Sequence, residues 1–124
     1  YQQYIKKNDL ENEIKLLGKR QDINELLSIT DIYLASSKRE GLPVNVMEAM
    51  YKGLPVIATD NRGHRELIKN AVNGYLIYNN TCDELIECIK KTFKNDKKMQ
   101  ENAKKIVRKY ELENVIESMK KIYS

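Results

Sequence analysis

The run Leu54-Pro-Val-Ile-Ala-Thr-Asp60 carries apolar or β-branched side chains at consecutive positions from Leu54 to Thr59, not at every second one. Side chains of a strand alternate between two faces, so such a run is tolerated where both faces are covered. The segments "DIYLASS" (31–37) and "NGYLIY" (73–78) read the same way, and "EIKLLG" (13–18) is a further short strand candidate. Between them lie stretches with helical periodicity: "DINELLSI" (22–29) with Asp22 at its N-cap, "PVNVMEAMYK" (43–52) and "GHRELIKN" (63–70). From Thr81 onward the chain reads as helix to its end, with breaks near Asn95 and Tyr110. Strand and helix in alternation define the class as α/β. The expected architecture is a single Rossmann-like, doubly wound parallel sheet with helices on both faces and extra C-terminal helices. Ligands of such sheets bind at the carboxyl ends of the strands. The loops to inspect are therefore Gly18–Arg20, Ser36–Pro43, Thr59–Gly63 and Tyr78–Thr81.

With 124 residues, 41% of them apolar and 32% charged, the chain suffices for one core, and no apolar run approaches a membrane span. No signal-peptide pattern opens the sequence. The first residues, "YQQYIKKNDLENEIKLLG", read as the middle of a fold, so the chain is expected to be part of a longer protein. The net charge of +4 comes from lysines concentrated after Lys90, but acidic residues from Glu84 to Glu117 are interspersed among them. That pattern reads as a solvated helix face, with weak contact to an anionic membrane as the alternative. Cys82 and Cys88, six apart on a helix, are separated by about 9 Å along its axis, too far for a disulfide. Free thiols in a reducing cytosol are expected.

Gly-Leu-Pro-Val occurs twice, at 41–44 and 53–56. In the second copy, Gly53 follows a helix and precedes a strand, where a left-handed glycine caps the helix and Pro55 stops it. In the first copy the order is reversed: Gly41 ends a loop and Pro43 enters the first helical turn, where a missing N–H costs nothing. The free amides of that turn offer an anion site. The helix over 43–52 has only Asn45, Glu48 and Lys52 as polar residues, and it is expected to be nearly buried with one narrow polar stripe. Helical side chains tilt toward the N-terminus, so Glu48 points toward the crevice into which Glu40 would project. Carboxylates accept hydrogen bonds from vicinal hydroxyls, so a sugar-bearing diphosphate such as a nucleotide sugar suits the pair. Pairing of Glu48 with Lys52, with Glu40 as an exposed loop residue, is the alternative that spacing leaves open.

From Ile14 to Ile77 the chain resembles the carboxyl-terminal domain of the retaining, GT-B-fold glycosyltransferases of family 4, the matching elements being "LLGKRQDINELLSITDIYLASSKREGLPVNVMEAMYKGLPVIATDNRGHRELIKNAVNGYLI" (16–77). Glu40 and Glu48 match that family's E-x7-E motif. The resemblance implies that Glu40 acts at the donor sugar as the catalytic-site carboxylate and that Glu48 accepts from the ribose hydroxyls. Gly41, Leu42 and Pro43 would border the sugar and diphosphate, and Gly18, Lys19 and Arg20 the base. It further implies a nucleotide-diphosphate sugar as donor substrate, no metal or cofactor, and a role in bacterial polysaccharide or glycoconjugate synthesis, capsule included. A cytoplasmic location is implied too, with possible peripheral membrane contact of the full protein. Residues 1–124 would then be a partial donor-binding domain, inactive without an amino-terminal, acceptor-binding domain that also leads into the diphosphate-clamping Arg and Lys.

Arg62, His64, Arg65 and Glu66 read as helix capping and surface charge, with no general-base role for His64. Leu112, Val115, Ile116, Met119 and Ile122 form a packing face that the resemblance would turn toward the amino-terminal domain. Two other readings compete: a related GT-B enzyme such as a nucleotide-sugar epimerase or phosphorylase, and a non-enzymatic flavodoxin-like interaction module with Asp60 as phosphoacceptor.

Overall fold

The computed structural model describes residues 1–36, 43–94 and 97–108. In chain order the elements are α1 (Gln2–Lys7), α2 (Ile23–Ser28), β1 (Tyr33–Ala35), α3 (Val44–Tyr51), β2 (Val56–Thr59), α4 (Arg62–Leu67), β3 (Gly74–Ile77) and α5 (Cys82–Lys94). Residues 97–108 are also helical. The expected breaks near Asn95 and Tyr110, and the apolar face from Leu112 onward, lie outside the described residues.

The three strands form one parallel sheet in the order β1-β2-β3. The consecutive apolar run is explained by burial on both sides. Val56 and Ala58 enter one cluster with Val46, Ala49 and Met50 of α3, Leu67 of α4, and Ala103 and Val107. Ile57 points the other way, into a second cluster with Tyr75, Ile77, Met99 and Cys88 of α5. The α/β class and the covering of both faces are as the sequence predicts.

Gly53 performs the capping role assigned to it. Its φ is +81°, its N–H donates to Met50 O at 2.9 Å, and the N–H of Leu54 donates to Ala49 O at 3.0 Å. Those two bonds satisfy carbonyls that the end of α3 would otherwise leave open.

Two local expectations are corrected, and a third, the N-cap position of Asp22, holds with a different hydrogen-bond partner. Residues 13–18 form no strand: Glu13 and Ile14 both donate to Leu10 O in a turn, and residues 15–18 run without a ladder partner among the described residues. A strand exists only through its neighbour, and Ile14, Leu16 and Leu17 are instead half exposed beside α1, where Ile14 and Leu16 line an apolar groove with Tyr1, Tyr4 and Ile5. Asp22 does occupy the N-cap position of α2, but its carboxylate caps no amide; the guanidinium of Arg20 holds it with two hydrogen bonds, at 2.7 and 2.6 Å. Finally, α3 is one-sided, not nearly buried. Val46, Ala49 and Met50 face the core while Val44 and Tyr51 are more than half exposed, because only one face of the helix meets the sheet.

Candidate site at the carboxyl end of the sheet

Parallel strands direct all their following loops to one end. There, a cavity of about 280 Å³ is lined by Leu34, Ala35 and Ser36 at the end of β1, Thr59 of β2, Ile77 of β3, and Asn80, Thr81 and Leu85 from the turn into α5. The three helices that follow the strands begin near this end, and their first amides are treated differently.

At α4 the side chain of Asn61 accepts the N–H of His64 at 2.8 Å, closing the helix start. His64 is 1% exposed, and its Nδ1 lies 2.7 Å from Thr59 O, so the ring donates there to the last residue of β2. Arg65 adds an ion pair to Asp60 at 3.2 Å. At α5 the hydroxyl of Thr81 accepts the N–H of Glu84 at 3.2 Å. The Glu84 carboxylate reaches back to accept the N–H groups of Tyr78 and, at 3.1 Å, Asn79.

The start of α3 differs. Its N-cap is Pro43, whose side chain has no acceptor to give, and the first internal bond runs from Met47 N–H to Pro43 O. The amides of Val44, Asn45 and Val46 therefore find no acceptor among the described residues. Four free N–H groups, less any that are capped, are what give a helix start its affinity for anions. Pro43 is itself buried and sits one position earlier than the first-turn placement expected, because its extended backbone (ψ 91°) precedes the helical residues.

Glu48 lies one turn into α3 and is exposed. It makes no ion pair with Lys52, and its carboxylate is matched with no cation among the described residues. The alternative of an intrahelical Glu48–Lys52 pair is thus not what the structure adopts. Nearby, Asn45 Nδ2 donates to the Tyr33 hydroxyl at 3.0 Å, fastening the exposed side of α3 to β1.

Of the other residues singled out from sequence, Glu40, Gly41 and Leu42 lie outside the described residues. Gly18 adopts φ +65° and, with Lys19 and Arg20, is exposed on the approach to α2. None of the three lines the cavity at the strand ends. The hydrogen bonds from Arg20 hold the Asp22 carboxyl below its ordinary range and push the guanidinium up. His64, expected as part of a capping and surface-charge cluster, is instead a buried brace. Sequence reasoning missed the bonds by which Glu84 ties the end of β3 to the start of α5, although Thr81-x-x-Glu84 is a capping-box spacing that signals them.

This end of the α/β domain therefore offers two features: helix amides at the start of α3 that find no acceptor among the described residues, with Glu48 one turn further along the helix, and a cavity at the carboxyl end of the parallel sheet that neither Glu48 nor the start of α3 lines. The chain belongs to the group 1 glycosyl transferases: the profile of the family described as "Glycosyl transferases group 1" matches residues 1–122. It is 35% identical over 127 residues to the putative glycosyltransferase EpsD of Bacillus subtilis (strain 168), covering 100% of this chain and 33% of that protein. It is 32% identical over 119 residues to the UDP-Gal:alpha-D-GlcNAc-diphosphoundecaprenol alpha-1,3-galactosyltransferase of Escherichia coli, covering 93% of this chain and 30% of that protein. Among solved structures it is similar to Anabaena Alr3699/HepE in complex with UDP-glucose, with a TM-score of 0.79, 31% identity, and coverage of 87% of this chain and 31% of that one. The chain thus spans about a third of the length of the curated relatives it matches.

Proposed function

We propose that this chain is the donor-binding part of a retaining glycosyltransferase that moves a sugar from a nucleotide-diphosphate donor to an acceptor in bacterial polysaccharide or glycoconjugate synthesis. The observation that carries the reading is the start of α3, where amides with no acceptor among the described residues stand one helical turn before Glu48, which has no ion-pair partner among them. In this reading the amides of Val44 to Val46 approach the diphosphate, and Glu48 accepts hydrogen bonds from the ribose hydroxyls. Glu40, with Gly41 and Leu42, meets the transferred sugar, and Gly18 to Arg20 the base. Charge that grows on the departing diphosphate is then met by fixed dipoles that need no reorganisation, which is electrostatic and positional catalysis and requires no protein nucleophile.

The whole protein would add an acceptor-binding domain, and this chain alone would transfer little or no sugar. The Escherichia coli relative is named for an acceptor carried on diphosphoundecaprenol, a lipid. By analogy the full protein works at the cytoplasmic membrane surface as a peripheral enzyme, and capsule-type polymers are a fitting product class. Among the described residues no helix is long and apolar enough to cross a membrane.

The Anabaena relative was solved with UDP-glucose, so uridine nucleotides are the first donors to try. The test is a thermal-shift titration of the chain with UDP, GDP and ADP and their sugar conjugates. Stabilisation by one nucleotide series that disappears in Glu48→Ala supports the reading. No response to any nucleotide refutes it.

A further inference from the structure

Two consecutive backbone amides at the end of β3 form a small anion-binding concavity, and a carboxylate of the protein already fills it. Oε1 of Glu84 accepts from Tyr78, and Oε2 accepts from Asn79 at 3.1 Å. Asn80, the next residue, is left-handed at φ +53° and turns the chain into α5. Glu84 is in turn held by its own N–H, which donates to Thr81 Oγ1 at 3.2 Å, so the carboxylate is positioned from both ends of the loop. No comparable side chain stands at the start of α3 among the described residues, where Pro43 precedes the open amides.

We infer that Glu84 is a specificity-determining residue: a resident anion that closes the β3 end of the sheet to phosphate groups and leaves the start of α3 as the place for them. The physical reason is competition for the same donors. A phosphate oxygen and a carboxylate oxygen seek the same N–H groups, and a tethered carboxylate is present at high effective concentration. It also repels a second anion. The same bonds hold Asn80 and Thr81 as a wall of the 280 Å³ cavity. The consequence for the donor rests on the function proposed above; the closure of the two amides does not.

The test uses inorganic pyrophosphate and the ¹⁵N-labelled full chain at constant ionic strength, following individual backbone amides by NMR. In the native sequence the Tyr78 and Asn79 resonances are expected to stay still throughout the titration. In Glu84→Ala both should move with pyrophosphate, with an apparent affinity at least roughly tenfold above any response of the native chain. Equal movement of the two amides in both proteins, or stillness in both, overturns the inference. Should Glu84→Ala lose its dispersed spectrum, Glu84→Gln serves: it keeps one acceptor without the charge, so at least one of the two amides must respond, and silence there overturns the inference equally. The Val44 to Val46 amides provide the separate reading of the donor site. If they are unmoved in the native chain while Tyr78 and Asn79 respond in the variant, the α3 assignment fails and the role of Glu84 stands.

Discussion

Nδ1 of His64 stands 2.7 Å from the carbonyl oxygen of Thr59, joining the first turn of α4 to the last residue of β2 inside the protein. A carbonyl only accepts, so the ring carries its proton on Nδ1 at this contact. The bond fixes the β2-to-α4 turn beside the cavity that Thr59 lines. His64→Leu, which keeps the volume and loses the donor, is expected to cost about 1–2 kcal/mol. His64→Asn, whose amide nitrogen can stand near the Nδ1 position, should recover part of that loss. Urea denaturation of the three proteins checks the order native, Asn, Leu.

Glu48 is expected to separate stability from binding. It is exposed and holds no ion-pair partner among the described residues, so Glu48→Ala should leave the unliganded chain within about 0.5 kcal/mol of the native one. At a nucleotide concentration a hundred times its Kd, the native chain should gain about 2.7 kcal/mol. The variant should gain little. A calorimetric scan with and without nucleotide measures both.

Gly74 and Gly53 should respond very differently to the same change. A Cβ on Gly74 would lie 2.0 Å from Val56 O, inside the β2–β3 ladder, where backbone has no room to yield. Gly74→Ala is expected to cost roughly 3 kcal/mol or more, or to prevent folding. A Cβ on Gly53 would meet Cε of Lys104 at 2.6 Å, the flexible end of a side chain that can swing away. What remains is the left-handed backbone, worth about 1–2 kcal/mol. Denaturation midpoints of the two variants give the comparison.

The two thiols should be distinguishable in the native protein. Cys82 is exposed at the start of α5 and Cys88 is buried, so a brief exposure to iodoacetamide should yield one adduct, on Cys82, by peptide mass mapping. Burial also pushes the Cys88 thiol up. A raised folded-state pKa means that the folded chain keeps a proton the unfolded chain gives up. The contribution to stability is full below the ordinary thiol pKa and declines as pH rises from there toward the raised value. Cys88→Ser or Cys88→Ala should flatten that alkaline decline.

Asp22 has the opposite sign. Its carboxyl is held low by the Arg20 hydrogen bonds, so its contribution is present above the ordinary carboxylate pKa and is lost as pH falls through the lowered folded value. Both partners are substantially exposed, which keeps the effect small. In Arg20→Gln the Asp22 titration followed by NMR should return to its ordinary range.

Much of this fold is legible in the sequence. The strands of 31–37, 54–60 and 73–78 and the helices of 22–29, 43–52 and 63–70 each overlap an observed element, with boundaries displaced by one to three residues. Consecutive apolar residues and 3.6-residue periodicity encode burial directly, and Gly53 marks its helix end because few other residues adopt its backbone angle. The motif running from Glu40 to Glu48 likewise points to the family that the whole chain matches.

Other outcomes depended on tertiary structure. Segment 13–18 has the composition of a strand but no neighbour to bond with among the described residues, and a ladder is a property of two stretches of backbone, not one. The exposure of Val44 and Tyr51 reflects how much of α3 the sheet touches. Local pattern also says little about which partner a polar group will choose: Asp22 took the Arg20 guanidinium in place of a helix amide, and His64 took the Thr59 carbonyl. Glu84 took two strand-end amides. The sequence by itself determined which segments leave water and what family they compose, because burial is written in local periodicity. Tertiary structure decided which amides are closed and which find no acceptor among the described residues, because that choice is made by geometry between groups whose hydrogen bonds are similar in strength.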